Sequence, residues 1–265
     1  MVFWKVLFDD SERIPLYLIH TIPLDSSYFE TSLTGINISQ PVILIDLPGH
    51  GRSPAVNLEN INFENMADEI EKIRDDRNDV VINILGHGVG GFTVLYYALK
   101  YGSKINRIIL SNTSANNKYR NSLAWNVRQR YSKITKQALE NYMGKTDEKS
   151  IKIKFTQSLA VYFNPTNHEM AKKILDNCTK IATQEYVHLA TNILPNYDIR
   201  ESIRKIKNKT LIIAGKNDVW PYESVLLLQN DLIQAEFKLN EGGHFFLLEN
   251  PEDYWSFIDD WLNTH

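Results

Sequence analysis

Apolar residues along this chain fall into short dense bursts, separated by stretches in which they recur every three or four positions. The bursts are "FWKVLF" (3–8), "IPLYLIH" (14–20), "PVILIDL" (41–47), "VVINILG" (80–86), "INRIILSN" (105–112), "KTLIIAG" (209–215) and "AEFKLNE" (235–241). Several are almost continuously apolar, the pattern of a strand covered on both faces. Between them, "NFENMADEIEKIRDDR" (62–77) sets Met66, Ile70 and Ile73 at helical spacing opposite a charged face. "VGGFTVLYYALKYG" (89–102) and "NPEDYWSFIDDWL" (250–262) repeat the helical pattern, the latter with Pro251 suited to a first turn. Strand alternating with helix predicts an α/β fold. Its sheet should be mostly parallel, of about seven or eight strands, with helices on both faces and right-handed crossovers.

One block breaks the alternation. Residues 115–197 carry only helical periodicity and loops, with Tyr131, Tyr142, Phe155, Tyr162, Phe163 and Tyr186 spread through them. Strand-like character resumes at "KTLIIAG". The chain thus divides into a core of residues 1–114 and 198–265 and a helical cap of residues 115–197 over the sheet edge, the aromatics being mostly the cap's own core.

Composition narrows the classes of function. A chain of 265 residues, 43% hydrophobic and 23% charged, can bury a sizeable core as one domain with an insertion. A net charge of −3 assembles no basic face for nucleic acid. Cys178, the one cysteine, excludes an internal disulfide and suits a reducing compartment. The N-terminal segment is charged too early for a signal peptide, and no apolar run is long enough to span a membrane. The chain reads as cytoplasmic. No spacing of histidine, cysteine or carboxylate suggests a metal site, and "GHGVGG" lacks the lysine of a phosphate loop. No cofactor is implied; a small molecule is the expected partner.

In an open parallel sheet the chemistry gathers at the carboxyl ends of the strands. There the chain offers "TIPLDSSYF" after residue 20, "PGHGRS" after 47, "GHGVGG" from 86, "KNDVWP" after 215 and "GGHFFLLENP" after 241. Two ionisable residues among them suit one task. A histidine oriented by a carboxylate, here His244 with Asp218, is a general base poised near neutral pH.

These five stretches, in this order, resemble the α/β-hydrolase superfamily, in its lineage of capped esterases, lactonases and proline iminopeptidase-like enzymes. "HTIPLDSSYF" (20–29) is similar to the loop that supplies one oxyanion-hole N–H. "DLPGHGRS" (46–53) is similar to a stretch widespread in the lineage, and "GHGVGG" (86–91) stands in place of the G-x-S-x-G elbow. The resemblance implies Asp218 as acid, His244 as base, and an oxyanion hole built from the backbone N–H groups of Ile22 and Val89. Gly86 and Gly90 match the elbow's small residues. Thr21, His87, Trp220 and Phe245 are candidates for the pocket lining. His20 and His50 read as structural, holding loops by hydrogen bonds.

Two departures stand out. Gly88 occupies the nucleophile position, and Thr21 stands where the family's loop has glycine after its histidine. Three readings follow. The chain is a serine hydrolase whose serine has been replaced, so that it traps rather than turns over substrate. Alternatively, the glycine is native and a His–Asp dyad works on water or abstracts a proton. In the third reading the scaffold binds a small molecule or a protein partner without chemistry. The first of these implies that a serine returned to position 88 would aim its hydroxyl at His244 and restore acyl transfer.

Overall fold

The computed structural model describes residues 1–118, 126, 127, 129, 145, 147–164, 167 and 169–264. Tyr131 and Tyr142, read above as cap core, lie outside the described residues.

All seven apolar bursts form strands: β1 (Trp4–Leu7), β2 (Leu16–Ile19), β3 (Val42–Ile45), β4 (Ile82–His87), β5 (Ile105–Ser111), β6 (Lys209–Gly215) and β7 (Ala235–Asn240). They make one sheet in the order β1-β3-β2-β4-β5-β6-β7. Every neighbouring pair is parallel except β1 with β3. Alternate side chains of each strand enter opposite cores. Tyr17, Ile19, Ile43 and Ile45 face one, and Leu16, Leu18, Val42 and Leu44 face the other.

The first core is covered by α2 (Phe63–Asp76) and α3 (Val89–Tyr101). In α2, Met66, Ile70 and Ile73 are buried, as the helical spacing predicts, and the Asn62 side chain accepts the N–H of Asn65 to cap the helix. The second core is covered by α1 (Ser27–Ser32) and the C-terminal helix over Pro251–Asn263. That helix begins on Pro251 and buries Trp255, Ile258 and Trp261.

The described part of residues 115–197 is helical or irregular. It includes helices over Glu148–Ser158, Met170–Asn177 and Thr183–His188, and its one bridge pairs Asn116 with Asp198. This block is clasped onto strand-end loops. The Ala182 N–H donates to Pro23 O (2.9 Å), the Thr179 N–H to Asp25 (2.7 Å) and Lys180 Nζ to Gly49 O (2.8 Å). Among the described residues no helix is long and apolar enough to cross a membrane.

The topology marks a site. From β2 the chain steps one way to β3, then crosses back over β2 to reach β4. The order therefore reverses between β2 and β4, and the crevice beyond their carboxyl ends is where ligands of open α/β sheets bind. Ile19 pairs with Gly86 across this seam. Two residues beyond that pair, past the strand ends, stand Thr21 and Gly88.

Candidate functional site

Gly88 sits between β4 and α3 with φ 55° and ψ −123°, a backbone conformation that glycine adopts without steric penalty. The turn is pinned on both sides. The Gly88 N–H donates to Ser111 O (2.9 Å), and its carbonyl accepts from the Thr113 hydroxyl (2.6 Å). Gly90 follows because a Cβ there would press on the carbonyls of Ile19 and His20 at the end of β2. The glycines of the elbow thus let strand and helix approach closely.

Asp218 follows β6, and His244 follows β7. The two loops are stitched together by the Lys216 N–H to Asn240 O (2.9 Å) and the Asn217 N–H to Gly242 O (3.0 Å). This brings His244 Nδ1 to 3.0 Å from Asp218 Oδ2 and 3.1 Å from Oδ1. Both residues are buried. Burial would raise the Asp218 carboxyl, but three partners among the described residues hold it below its usual range. They are His244, the Asn112 amide donating to Oδ2 at 2.6 Å, and the Trp220 N–H donating to Oδ1 at 3.0 Å. Nε2 of His244 hydrogen-bonds to none of the described residues. Nε2 lies 3.1 Å from the point where a Cβ of residue 88 would stand.

Thr21 crosses the same space. A Cβ on Gly88 would overlap its hydroxyl and lie 2.9 Å from its Cβ. The Val89 N–H, predicted to serve an oxyanion, donates instead to Thr21 Oγ1 at 3.2 Å. The N–H of Ile22 donates to none of the described residues.

Behind Thr21 and His244 runs a buried chain of polar groups. The Thr21 N–H donates to Tyr28 Oη (2.9 Å), whose own proton goes to His87 Nδ1 (3.0 Å). His87 Nε2–H then donates to the carbonyl of His244 (2.8 Å). Burial, reinforced by the nearby His244, depresses His87 to about 3, so the ring is neutral and can accept at one nitrogen while donating at the other. On the other side, His20 Nδ1–H donates to Thr21 O (3.0 Å), and its Nε2 accepts the Leu47 N–H (2.9 Å).

Of the residues picked out as pocket lining, Thr21 stands over Gly88, and Trp220 is half-buried beside Asp218 with its ring edge-on to Phe92. His87 is wholly enclosed. Phe245 is stacked on Phe163 in the second core. His20 and His50 hold the strand-end loops through Leu47 N and Pro48 O respectively. Two participants went unnamed at the sequence level, Tyr28 and Asn112. Asn112 ends the burst "INRIILSN", so the rule of looking past each strand would have found it. Tyr28 carries no such signal, because only the packing of α1 against the sheet brings it to His87.

A sequence profile of the alpha/beta hydrolase fold matches residues 14–251. The chain belongs to the α/β-hydrolase fold family. It is 23% identical over 254 residues to 3-oxoadipate enol-lactonase 1 of Acinetobacter baylyi, covering 94% of this chain and 89% of that one. It is 26% identical over 281 residues to the proline iminopeptidase of Lactobacillus helveticus, covering 99% and 94%. Among solved structures, a thermophilic esterase from Thermogutta terrifontis superposes with a TM-score of 0.77 at 19% identity, covering 98% of this chain and 92% of that one. At that identity the superposition establishes the fold alone. The scaffold is that of a hydrolase.

Proposed function

We propose that the chain hydrolyses a small carboxylic ester, lactone or amide, with His244 as general base and Asp218 as the carboxylate that orients it. One observation carries the reading. His244 Nδ1 is held 3.0 Å from Asp218, while Nε2 faces the space above Gly88, the crevice marked by the reversal between β2 and β4. A buried dyad of this kind is expensive to keep in a protein that only binds, since the carboxylate must be desolvated and then satisfied by donors. The relatives named above, a lactonase and a peptidase, support the substrate class.

Thr21 bears on the choice among the three readings. Its side chain fills the volume a serine at 88 would need, so a single exchange of serine for glycine would not leave this arrangement behind. That supports a site built around the glycine. Residues 115–197 serve in this reading as the lid that selects the substrate.

The test is turnover of a panel of small activated esters, lactones and aminoacyl anilides by the full chain and by His244→Ala. Loss of a positioned base should slow the reaction by about 10²–10⁴-fold. An unchanged rate in His244→Ala would remove the dyad from the chemistry.

A further inference from the structure

We propose that the hydroxyl of Thr21 is the nucleophile of this site, supplied from the end of β2 because the elbow residue Gly88 has no side chain to supply it. The proposal rests on the reading of His244 as base.

Ile19 is paired with Gly86, and two residues beyond that pair Thr21 and Gly88 meet past the strand ends. The Thr21 side chain then occupies the volume into which a residue 88 side chain would project, adjoining the same point that His244 Nε2 approaches to 3.1 Å. Its oxygen is turned toward the elbow by the Val89 N–H at 3.2 Å. The hydroxyl hydrogen has no acceptor among the described residues and remains available to a base.

The residue is also held in place. Its N–H is fixed by Tyr28 and its carbonyl by His20, and a β-branched side chain has few χ1 alternatives. The Tyr28–His87 chain ties this backbone to the backbone of His244, so nucleophile and base are set by one rigid unit. A purely structural use exists too. Val89 begins α3, and its N–H needs an acceptor. The experiment has to separate the two.

The reaction balances with water alone. Thr21 Oγ–H passes its proton to His244 Nε2 as Oγ bonds to the substrate carbonyl carbon, and the carbonyl π pair moves onto its oxygen. The Ile22 N–H, which donates to none of the described residues, is the donor at hand for that anion. Collapse breaks the bond to the leaving group, which takes the proton from His244, and a threonyl ester remains. Water then attacks this ester, giving its proton to His244. The acid departs and the proton returns to Thr21.

The measurement is hydrolysis of p-nitrophenyl acetate by the full chain, with acid-quenched samples mapped for acetyl groups by peptide mass spectrometry. The unmodified chain should turn over and carry acetyl on residue 21, and His244→Ala should abolish that mark. Thr21→Val, which keeps shape and loses the hydroxyl, should lower turnover at least about 100-fold. Thr21→Ser should retain it. If Thr21→Val turns over normally while His244→Ala does not, the dyad works on water; the nucleophile assignment is then overturned and the hydrolase reading stands. If the unmodified chain shows no turnover above buffer with this ester or with the panel above, the hydrolase reading fails and the nucleophile with it. Should Thr21→Val fail to fold, the map of the unmodified chain decides: acetyl absent from residue 21 during turnover overturns the assignment.

Discussion

A serine side chain placed at Gly88 would meet Thr21 before it could reach His244. Its Cβ would overlap the Thr21 hydroxyl, and the backbone at φ 55° would strain any residue but glycine. Gly88→Ser alone is therefore expected to lose about 1–3 kcal/mol to backbone strain, with a further ~1–3 kcal/mol from overpacking. Urea unfolding measures both. Adding Thr21→Gly should recover the overpacking part and open the crevice. A fluorophosphonate should then label residue 88 in the double variant and not in the single one. Equal labelling of residue 88 in both would mean that Thr21 swings aside freely. Of the outcomes left open by the sequence, rescue by serine alone or only together with Thr21→Gly, the contact of Thr21 with position 88 favours the second.

Helix α1 is short, and its N-cap Ser26 has no side-chain bond to the helix it begins. What anchors it is Asp46 at the end of β3, whose Oδ1 accepts both the Ser26 N–H (2.9 Å) and the Ser26 hydroxyl (2.6 Å). The other oxygen accepts the backbone N–H of Arg52 (2.9 Å) and its Nε (2.8 Å). One carboxylate thereby joins the loop after β2 to "DLPGHGRS". Burial alone would raise it; the Arg52 guanidinium, His20 and the Ser26 hydroxyl outweigh that and bring it to about 2. A depressed value contributes stability above the unfolded value near 3.9, lost as pH falls through about 2. Asp46→Asn should cost about 1–3 kcal/mol at neutral pH, because Arg52 keeps Glu30 at 2.8 Å but an amide nitrogen in place of one carboxylate oxygen cannot accept the N–H groups that Asp46 accepts. Tyr28→Phe, in the same helix, should cost about 1–3 kcal/mol by stranding the Thr21 N–H and His87 Nδ1. Chemical denaturation at pH 7 checks both, and a neutral Tyr28→Phe would show that the polar chain behind the site holds nothing in place.

Acid should unfold the molecule through its buried histidines. His50 and His87 are each pushed down to about 3, first by burial and then by a neighbouring histidine, His20 and His244 respectively. Unfolding returns them to about 6.5. Between those values the unfolded chain binds more protons, so stability rises with pH and is full above about 6.5. Going down, each unit costs about 1.4 kcal/mol per histidine. The melting temperature is expected to be level above pH 7 and to fall steadily from 6.5 toward 4. A level profile down to pH 4.5 would mean that these rings are hydrated. Cys178 takes no part, since burial and the adjacent Asp25 push its thiol up to about 12.

Periodicity sufficed for the elements. All seven strands, the helices after residues 62, 88 and 250, and the parallel sheet lie in the sequence, because strands sheathed on both faces must be apolar and amphipathic helices must show one apolar face. Motif order pointed to His244, Asp218 and the glycine between β4 and α3, and the fold sets each of them just past a strand's carboxyl end. The meeting of Thr21 and Gly88 was not legible. Both departures could be seen, 67 positions apart by their numbers, yet nothing local says that they share one volume. That depends on the pairing of Ile19 with Gly86 across a seam where the strand order reverses. Tyr28 was hidden for the same reason: a tyrosine in a short helix is ordinary until packing sets its hydroxyl between a threonine N–H and a histidine. Short-range pattern determines which residues form strands and helices, while long-range register alone decides which side chains compete for the same space.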